Sequence, residues 1–314
     1  YDINHSPWVL FDYFDNDKPL IKRWRFMNFY KKLSSIFALS LLVACGGSDD
    51  SGPVDNGSDS SVIEIPVTGY TTPTSYANRT LVWQDEFDAS SLNLSDWTYE
   101  IGTGSNGWGN NELQYYTNTN TLLQDGHLVI TAKEESRNGS DYTSSRIVTL
   151  NKESFRYGRI DIRAVLPAGQ GIWPALWMLG SNFETVGWPA SGEIDIMEMI
   201  GGSGRENTVH GTVHWEHDGQ RAQFGGETTL PSGTFNDEFH VFSIEWTASR
   251  ITWFMDDQQF HTIDTTPAQL SEFRNNFFFV FNLAVGGNWP GSPNSATSFP
   301  QHLIVDYVRV FRDN

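Results

Sequence analysis

Near the middle of the chain lies the stretch Gly192-Glu193-Ile194-Asp195-Ile196-Met197-Glu198-Met199, which sets three carboxylates among apolar residues that favour β-structure. Side chains alternate between the two faces of a strand, so Glu193 and Asp195 point the same way. Glu198 would point to the opposite face unless a β-bulge, most simply at Met197, adds one residue. With the bulge, all three acids share one face, which suits acid–base chemistry on a sugar.

Aromatic residues flank this stretch on both sides. Upstream are the run Gly171–Leu179, which contains two tryptophans, and Trp188; downstream is His210-Gly211-Thr212-Val213-His214-Trp215. The alternative interpretation of three spaced acids is a solvated strand face or a carboxylate cluster that holds a cation. The aromatic flanks favour a sugar cleft, because the faces of pyranose rings stack on aromatic rings.

The composition restricts the partners of the protein. The 314 residues carry a net charge of −18 and include 12 Trp. Such a charge repels nucleic acid and anionic lipid, so neither is expected as a partner. It also favours a neutral substrate over a polyanionic one.

The N-terminal part has the pattern of an export signal. The pair Lys31-Lys32 precedes an apolar run over 33–44, which is too short to span a bilayer as a helix. The sole cysteine, Cys45, follows this run in a sequence that resembles a bacterial lipobox, which implies cleavage before Cys45 and acylation of it. The alternative is an ordinary signal peptide with an incidental cysteine.

These features predict the organisation of the chain. Residues 1–26 are interpreted as an upstream artefact of gene-start choice, 27–44 as a lipoprotein signal peptide, and 45–64 as a disordered tether rich in Gly, Ser and Asp. The folded domain is expected over 65–314. The protein is expected to be exported and either lipid-anchored in the bacterial outer membrane or envelope, or secreted; its only link to a membrane would be the lipid on Cys45.

The folded part has the pattern of an all-β domain. Short β-favouring runs recur at roughly 10-residue intervals between turn residues, as in sandwiches and barrels. The predicted strands are Thr80–Gln84, His127–Ala132, Arg146–Leu150, Phe155–Leu166, Ala175–Leu179, Ile194–Met199, Val209–Trp215, His240–Trp246, Arg250–Met255, Gln258–Asp264, Phe277–Ala284 and Leu303–Phe311. Asp256-Asp257 predicts a hairpin turn. One short helix is expected at Ala268–Phe273, with Thr266 as N-cap and Pro267 in the first turn.

Several motifs in order resemble glycoside hydrolase family 16, and within it the laminarinase-like β-1,3-glucanases. The resemblance covers about Leu81 to Phe311. Besides the acidic strand it rests on Trp83–Phe87, Gly107–Tyr116, Tyr157-Gly158-Arg159, Trp173–Leu179, Phe281–Gly291 and Val305–Val310. It implies a jelly-roll sandwich of two antiparallel sheets with an open concave cleft, a polysaccharide substrate, a monomeric protein and no cofactor for catalysis.

The resemblance also implies the roles of the three acids. Glu193 would be the nucleophile and Glu198 the general acid/base of a double displacement with net retention, with Asp195 between them. A retaining glycosidase places its two carboxyl groups about 5–5.5 Å apart. Both glutamate side chains therefore have to lean over the shorter Asp195.

The candidate substrate-binding residues each have a structural alternative. Trp173 and Trp177 are four positions apart and share a strand face, where they would be stacking platforms or sandwich core. Arg159 is a candidate sugar contact by resemblance or an internal ion-pair partner, and His214 a substrate contact or a structural residue. The full set is Asn110, Arg159, Trp173, Trp177, Trp188, His214 and Trp289.

One structural calcium ion is a further implication of the resemblance. The matching positions are Glu86, a backbone oxygen near Gly126, and the carboxylate of Asp306, and oxygen ligands suit calcium. The expected function is endo-acting hydrolysis of β-1,3 bonds in laminarin-like glucans. Alternatives are mixed-linkage glucan, agarose or carrageenan as substrate, transglycosylation, and a non-catalytic glucan-binding protein.

Overall fold

Two antiparallel sheets packed face to face form the folded domain, which confirms the jelly-roll sandwich predicted from the sequence. The structure, a computed structural model, describes residues 62–314. The predicted signal peptide, Cys45, the upstream segment 1–26 and most of the tether lie outside the described residues. Within 62–314, no helix is long and apolar enough to cross a membrane.

The described residues form seventeen strands, and all twelve predicted strands are among them. The strands are β1 (Arg79–Asp85), β2 (Thr98–Tyr99), β3 (Gln114–Tyr116), β4 (Thr121–Gln124), β5 (His127–Arg137), β6 (Ser140–Ser144), β7 (Arg146–Val148), β8 (Gly158–Val165), β9 (Ile172–Gly180), β10 (Glu193–Glu198), β11 (Thr208–His217), β12 (Gln220–Thr229), β13 (His240–Trp246), β14 (Arg250–Met255), β15 (Gln258–Asp264), β16 (Phe277–Val285) and β17 (Gln301–Asp313).

The strands divide into a ten-stranded and a seven-stranded sheet. The larger sheet runs in the order β15-β14-β13-β8-β17-β5-β6-β3, with β1 added beside β17 and β4 beside β5. The smaller runs in the order β12-β11-β10-β9-β16-β7-β2, so the acidic strand β10 lies between β9 and β11. Neighbouring strands are antiparallel, except that β3 and β6 are parallel.

Alternation along each strand fills the space between the sheets. On β16, Phe277, Phe279 and Phe281 point into the core, and on β8 the residues Ile160 and Ile162 do the same from the opposite sheet. All five side chains are fully buried. Burying a phenylalanine side chain stabilises the fold by about 1.5–3 kcal/mol, so this layer carries much of the stability.

Helices are few and short. One α-helical turn covers Phe183–Val186, and a 3₁₀ helix covers Asn118–Asn120. The helix expected at Ala268–Phe273 is a 3₁₀ segment over Ala268–Arg274, interrupted at Leu270, with Pro267 rather than Thr266 at the N-cap position. An irregular helical turn at Gly107–Asn111 was not predicted; Trp108 there has a left-handed backbone.

The predicted turn at Asp256-Asp257 is confirmed. Both residues have positive φ angles, 50° and 60°, as a two-residue hairpin between β14 and β15 requires.

Residues 62–78 form an N-terminal strap across the outer face of the ten-stranded sheet. The Tyr76 hydroxyl donates to Asp161 at 2.7 Å, and the Thr72 amide donates to the Tyr307 hydroxyl at 2.9 Å. Ile63 exchanges two hydrogen bonds with the Gln124 side chain and packs against the outer apolar cluster. Ile63 therefore already belongs to the domain, two residues before the boundary at 65 that the composition predicts.

Candidate active site

The outer face of the seven-stranded sheet gathers the acidic and aromatic side chains singled out in the sequence. We call this surface the site face. It is formed mainly by β9, β10 and β11, whose alternate residues point away from the core. Its members are Trp173, Trp177, Glu193, Asp195, Glu198, His210 and His214.

The predicted β-bulge brings Glu198 onto this face. Opposite β9, Asp195 pairs with Trp177 and Met197 with Leu176, so one residue of β10 is unpaired. Ile196 and Met197 are consecutive, yet both are buried in the core, with 2% and 0% exposure. Because two adjacent residues point inward, Glu198 turns to the same side as Asp195. The bulge occupies the Ile196–Met197 step, as the sequence predicts.

Each glutamate is held by a tryptophan indole. Trp188 Nε1 donates to Glu193 Oε2 at 2.9 Å, and Trp173 Nε1 donates to Glu198 Oε1 at 3.0 Å. The second oxygen of Glu198 is left to carry a proton. The side chain of Glu193 is 16% exposed and that of Asp195 only 3%, so a substrate can reach the glutamate but not the aspartate.

His214 lies beside both carboxylates of the first part of β10. It pairs with Glu193 in the strand register, and its Nε2 lies 3.2 Å from Asp195 Oδ2 and 3.6 Å from Glu193 Oε1. His214 therefore lies beside the acids, and its contact with the substrate stays a prediction. The His214 side chain contacts the carboxylates of Glu193 and Asp195.

The three acids cannot all ionise at neutral pH. Burial and the charge of Asp195 raise the pKa of Glu193 to about 7, although His214 and the Trp188 N–H act in the other direction. Burial raises the pKa of Asp195 to about 8. Burial, followed by the charge of Asp195, raises the pKa of Glu198 well above its usual range. Burial thus favours the protonated form of all three acids, and Glu198, whose pKa is raised well above its usual range, keeps its proton as a general acid requires.

Aromatic rings border the acids on both sides. Trp289, which is 41% exposed, meets Trp173 edge to face at 5.6 Å and His210 at 5.0 Å. On the other side Trp188 is 44% exposed and lies 6.2 Å from the His214 ring. Exposed indoles beside buried carboxyls form a surface on which a sugar ring can stack. Trp173, Trp188 and Trp289 thus lie on or beside the site face, and their role in sugar binding stays a prediction.

A buried polar network joins Trp177 to the turn at 107–111. The Trp177 indole donates to Asn282 Oδ1 at 2.8 Å, Asn282 donates to the Tyr116 hydroxyl, and Tyr116 donates to Glu112. Glu112 also accepts from Asn110 at 3.2 Å. Asn110 is therefore connected to Trp177, the residue that pairs with Asp195 across the strands. Its backbone carbonyl also accepts a hydrogen bond from the Asn288 amide, in the loop that carries Trp289.

Asn282, Tyr116, Glu112 and Arg146 were not predicted as site residues. The Arg146 guanidinium lies 5.0 Å from the centre of the Trp177 ring and 4.5 Å from that of Trp108. The alternation of polar residues from Asn110 to Tyr116 is the sequence signal that could have found part of this network. Arg146 offers no such signal, because a single arginine at a strand start has no distinctive pattern.

The prediction that Arg159 contacts the sugar is wrong. Arg159 is on β8, on the outer face of the ten-stranded sheet, and is only 5% exposed. Its guanidinium pairs with Asp161 at 2.7 Å and also with Asp257. Alternation explains the placement, since Ile160 and Ile162 take the core-facing positions. The alternative interpretation, an internal ion pair, is confirmed.

The predicted calcium ligands are only partly available. Both carboxylate oxygens of Glu86 accept hydrogen bonds from Arg309, each at 2.7 Å, so the Glu86 side chain does not fit as a cation ligand. Asp306 Oδ2 is taken by Arg163 at 2.7 Å. Asp306 Oδ1 accepts no hydrogen bond from an arginine and faces His127 Nε2 at 3.5 Å. Asp306 Oδ1 and backbone oxygens are the donors that remain.

The fold and the site together define a glycoside hydrolase: a β-sandwich whose open sheet face carries two indole-bonded glutamates between exposed tryptophans. The chain belongs to glycosyl hydrolases family 16, whose family model matches residues 107–309.

Individual relatives agree with this assignment. The beta-glucanase of Rhodothermus marinus is 43% identical over 74% of this chain and 85% of its own length. The clotting factor G alpha subunit of Tachypleus tridentatus is 42% identical over 74% of this chain, which spans about a third (34%) of that protein. Among solved structures, the laminarinase catalytic domain of Thermotoga maritima is 44% identical, with a TM-score of 0.69 over 76% of this chain and 99% of that one.

Replacing Trp188 should weaken substrate binding without unfolding the protein. Loss of a stacking platform worth about 1 kcal/mol would raise KM by roughly fivefold in Trp188→Ala. The melting temperature should change little, because the ring is largely exposed. Trp188→Phe is the matched control, since it keeps a ring but removes the N–H donor to Glu193. Unfolding of Trp188→Ala would instead assign the ring to the core.

The buried acids should lower stability at neutral pH. The pKa of Glu193 rises from 4.5 to about 7 on folding, so the folded state binds more protons between these pH values and stability falls as pH rises through that window. The cost is of order 3 kcal/mol above pH 7. Glu193→Gln should therefore raise Tm by a few degrees at pH 7.5 and have little effect at pH 4.5, as measured by calorimetry. An equal change in Tm at both pH values would contradict this prediction.

Proposed function

We propose that the protein is an endo-acting β-1,3-glucanase that hydrolyses laminarin-like glucans with retention of configuration. The observation that carries the proposal is the placement of Glu193 and Glu198 on one accessible face between exposed tryptophans, with each carboxyl group held by an indole N–H. The likeness to a Rhodothermus beta-glucanase and a Thermotoga laminarinase supports the choice of a β-glucan as substrate.

The reaction would proceed in two displacements. A carboxylate oxygen of Glu193 attacks the anomeric carbon while Glu198 transfers its proton to the glycosidic oxygen, so that the C–O bond breaks and the leaving chain departs as an alcohol. In the second step Glu198, now ionised, takes a proton from water, and the water oxygen displaces Glu193. Two inversions give net retention.

The surrounding residues have defined tasks in this scheme. Trp188 holds Glu193 Oε2, which leaves Oε1 to attack, and Trp173 holds Glu198 Oε1, which orients the acid. Burial keeps Glu198 protonated until the glycosidic oxygen arrives, and Asp195 lies between the two glutamates on β10. No metal or cofactor is needed for these steps.

Product analysis on separate polysaccharides tests the proposal. The purified protein is incubated with laminarin, mixed-linkage glucan, agarose and carrageenan, with Glu198→Gln as the inactive control. Rapid release of short β-1,3 oligosaccharides from laminarin alone supports the proposal. Cleavage of a different polymer keeps the mechanism and changes the substrate. Products longer than the substrate indicate transglycosylation, and binding without cleavage indicates a glucan-binding protein.

We also propose that the protein is exported and lipid-anchored through Cys45, on the strength of the lipobox-like sequence. Incorporation of labelled palmitate that is lost in Cys45→Ala supports the anchor, whereas equal labelling of both proteins refutes it. A structural calcium ion at Asp306 is a further proposal, supported by Oδ1, which is not paired with an arginine. Calcium removal by a chelator should then lower the melting temperature, and an unchanged value refutes it.

A further inference from the structure

Three potential metal ligands of different chemistry converge in the floor of the site. His214, Asp195 and Glu193 each offer one ligand atom, and these three atoms all lie within 4.8 Å of one another. Two of the separations are much shorter, 3.2 Å from Nε2 to Asp195 and 3.6 Å from Nε2 to Glu193. The cluster combines one imidazole with two carboxylates on adjacent strands, β10 and β11, which hold the donors in register.

The spacing agrees with tetrahedral coordination. Zinc binds nitrogen and oxygen ligands at about 2.0–2.2 Å, so neighbouring donors around a tetrahedral ion are about 3.3–3.6 Å apart. The two distances from Nε2 are close to this range. The third pair, between the carboxylate oxygens, lies within 4.8 Å.

A second observation points to a ligand. Asp195 is 98% buried, since only 2% of its surface is exposed, yet its Oδ2 accepts no hydrogen bond. This oxygen lies 3.2 Å from His214 Nε2 and so faces the cluster. A buried carboxylate oxygen without a hydrogen bond costs free energy, and a cation would offset that cost. The Nδ1 atom of His214 is also buried without a partner.

We propose that Glu193, Asp195 and His214 form an inhibitory site for a borderline-soft divalent metal ion such as Zn²⁺ or Cu²⁺. The imidazole selects these ions over Mg²⁺ and Ca²⁺, which prefer all-oxygen sites. The bound ion occupies the oxygen of Glu193 that faces away from Trp188. It therefore blocks the nucleophile, and metal and substrate compete for one site. The proposal does not depend on which polysaccharide the enzyme cleaves.

Calorimetric titration of the full-length protein, without a histidine tag, tests the site. ZnCl₂ should bind with one equivalent per chain in the wild type, and MgCl₂ at the same concentrations should not bind. His214→Gln and Asp195→Asn should each weaken Zn²⁺ binding by at least about tenfold, as expected from loss of one ligand. His210→Gln is the matched control, because His210 is on the same strand and the same face but outside the cluster, and it should bind Zn²⁺ as the wild type does.

Melting curves of each variant accompany the titration, and two independent ligand variants guard against one that fails to fold. A folded His214→Gln protein that binds Zn²⁺ as tightly as the wild type overturns the proposal. Absence of Zn²⁺ binding to the wild type, or equal binding of Mg²⁺, also overturns it. Since the readout is binding, failure of the laminarin assignment would leave this result unaffected.

Discussion

Replacing Glu193 by alanine should abolish cleavage of the polysaccharide, with kcat falling by roughly 10⁴-fold or more. The carboxylate is the only group on the site face that combines access from the open side with a pKa low enough, about 7, to be ionised at neutral pH. Without it no glycosyl-enzyme can form. Steady-state assays on the polysaccharide measure the loss, and Glu216→Ala is the control for removal of an exposed acid on the neighbouring strand.

Addition of azide makes this prediction specific to the nucleophile. The space left by the Glu193 side chain admits a small anion, which can attack the anomeric carbon directly in Glu193→Ala. A single inversion of a β-linked substrate gives an α-glycosyl azide. A β-glycosyl azide from this variant, or full activity without azide, would remove Glu193 from its assigned role.

Replacing Glu198 by alanine should have an effect that depends on the leaving group. With the polysaccharide, loss of the proton donor should lower kcat/KM by about 10³-fold, within the usual range for general acid catalysis. With an aryl β-glycoside whose phenol leaves without protonation, the first displacement should proceed at nearly the wild-type rate. Burst kinetics on the aryl substrate separate the two steps. The structural reason is that burial raises the pKa of Glu198 well above its usual range, so it holds the proton.

Azide should then give the opposite stereochemistry. In Glu198→Ala the glycosyl-enzyme on Glu193 still forms, and azide needs no general base to displace it. Two inversions yield a β-glycosyl azide. Equal losses on the polysaccharide and on the aryl substrate would show that Glu198 is not the acid.

The sequence predicts the strands that carry apolar runs and misses five strands that are short or largely polar, namely β2, β3, β4, β6 and β12. All twelve predicted runs contain apolar residues in alternation or in continuous stretches. The missed strand β12 (Gln220–Thr229) is largely exposed along its length and lies at an edge of its sheet. The bulge at Ile196–Met197 was predictable, because three acids in Glu-x-Asp-x-x-Glu spacing can share a face only if one residue is added.

Side-chain partners across the sandwich were less predictable. The pattern around Arg159 indicates a strand but not which sheet contains it or which face is turned outward. Glu86 and Arg309 are far apart in sequence, so their bidentate pairing could not be anticipated and the glutamate was taken for a calcium ligand. The network from Trp177 to Glu112 likewise depends on contacts between distant segments.

The position of the N-terminal strap has a consequence for where a pulling force acts on the domain. The strap is fastened to the outer face of the ten-stranded sheet by Tyr76 and Thr72, whereas the carboxylates open on the outer face of the seven-stranded sheet. The described domain therefore begins, at residue 62, on the side turned away from the acids. The two sheets, about 10 Å apart, separate this point from the site face. A force applied at residue 62 would act first on the strap and the ten-stranded sheet rather than on the bulged strand β10.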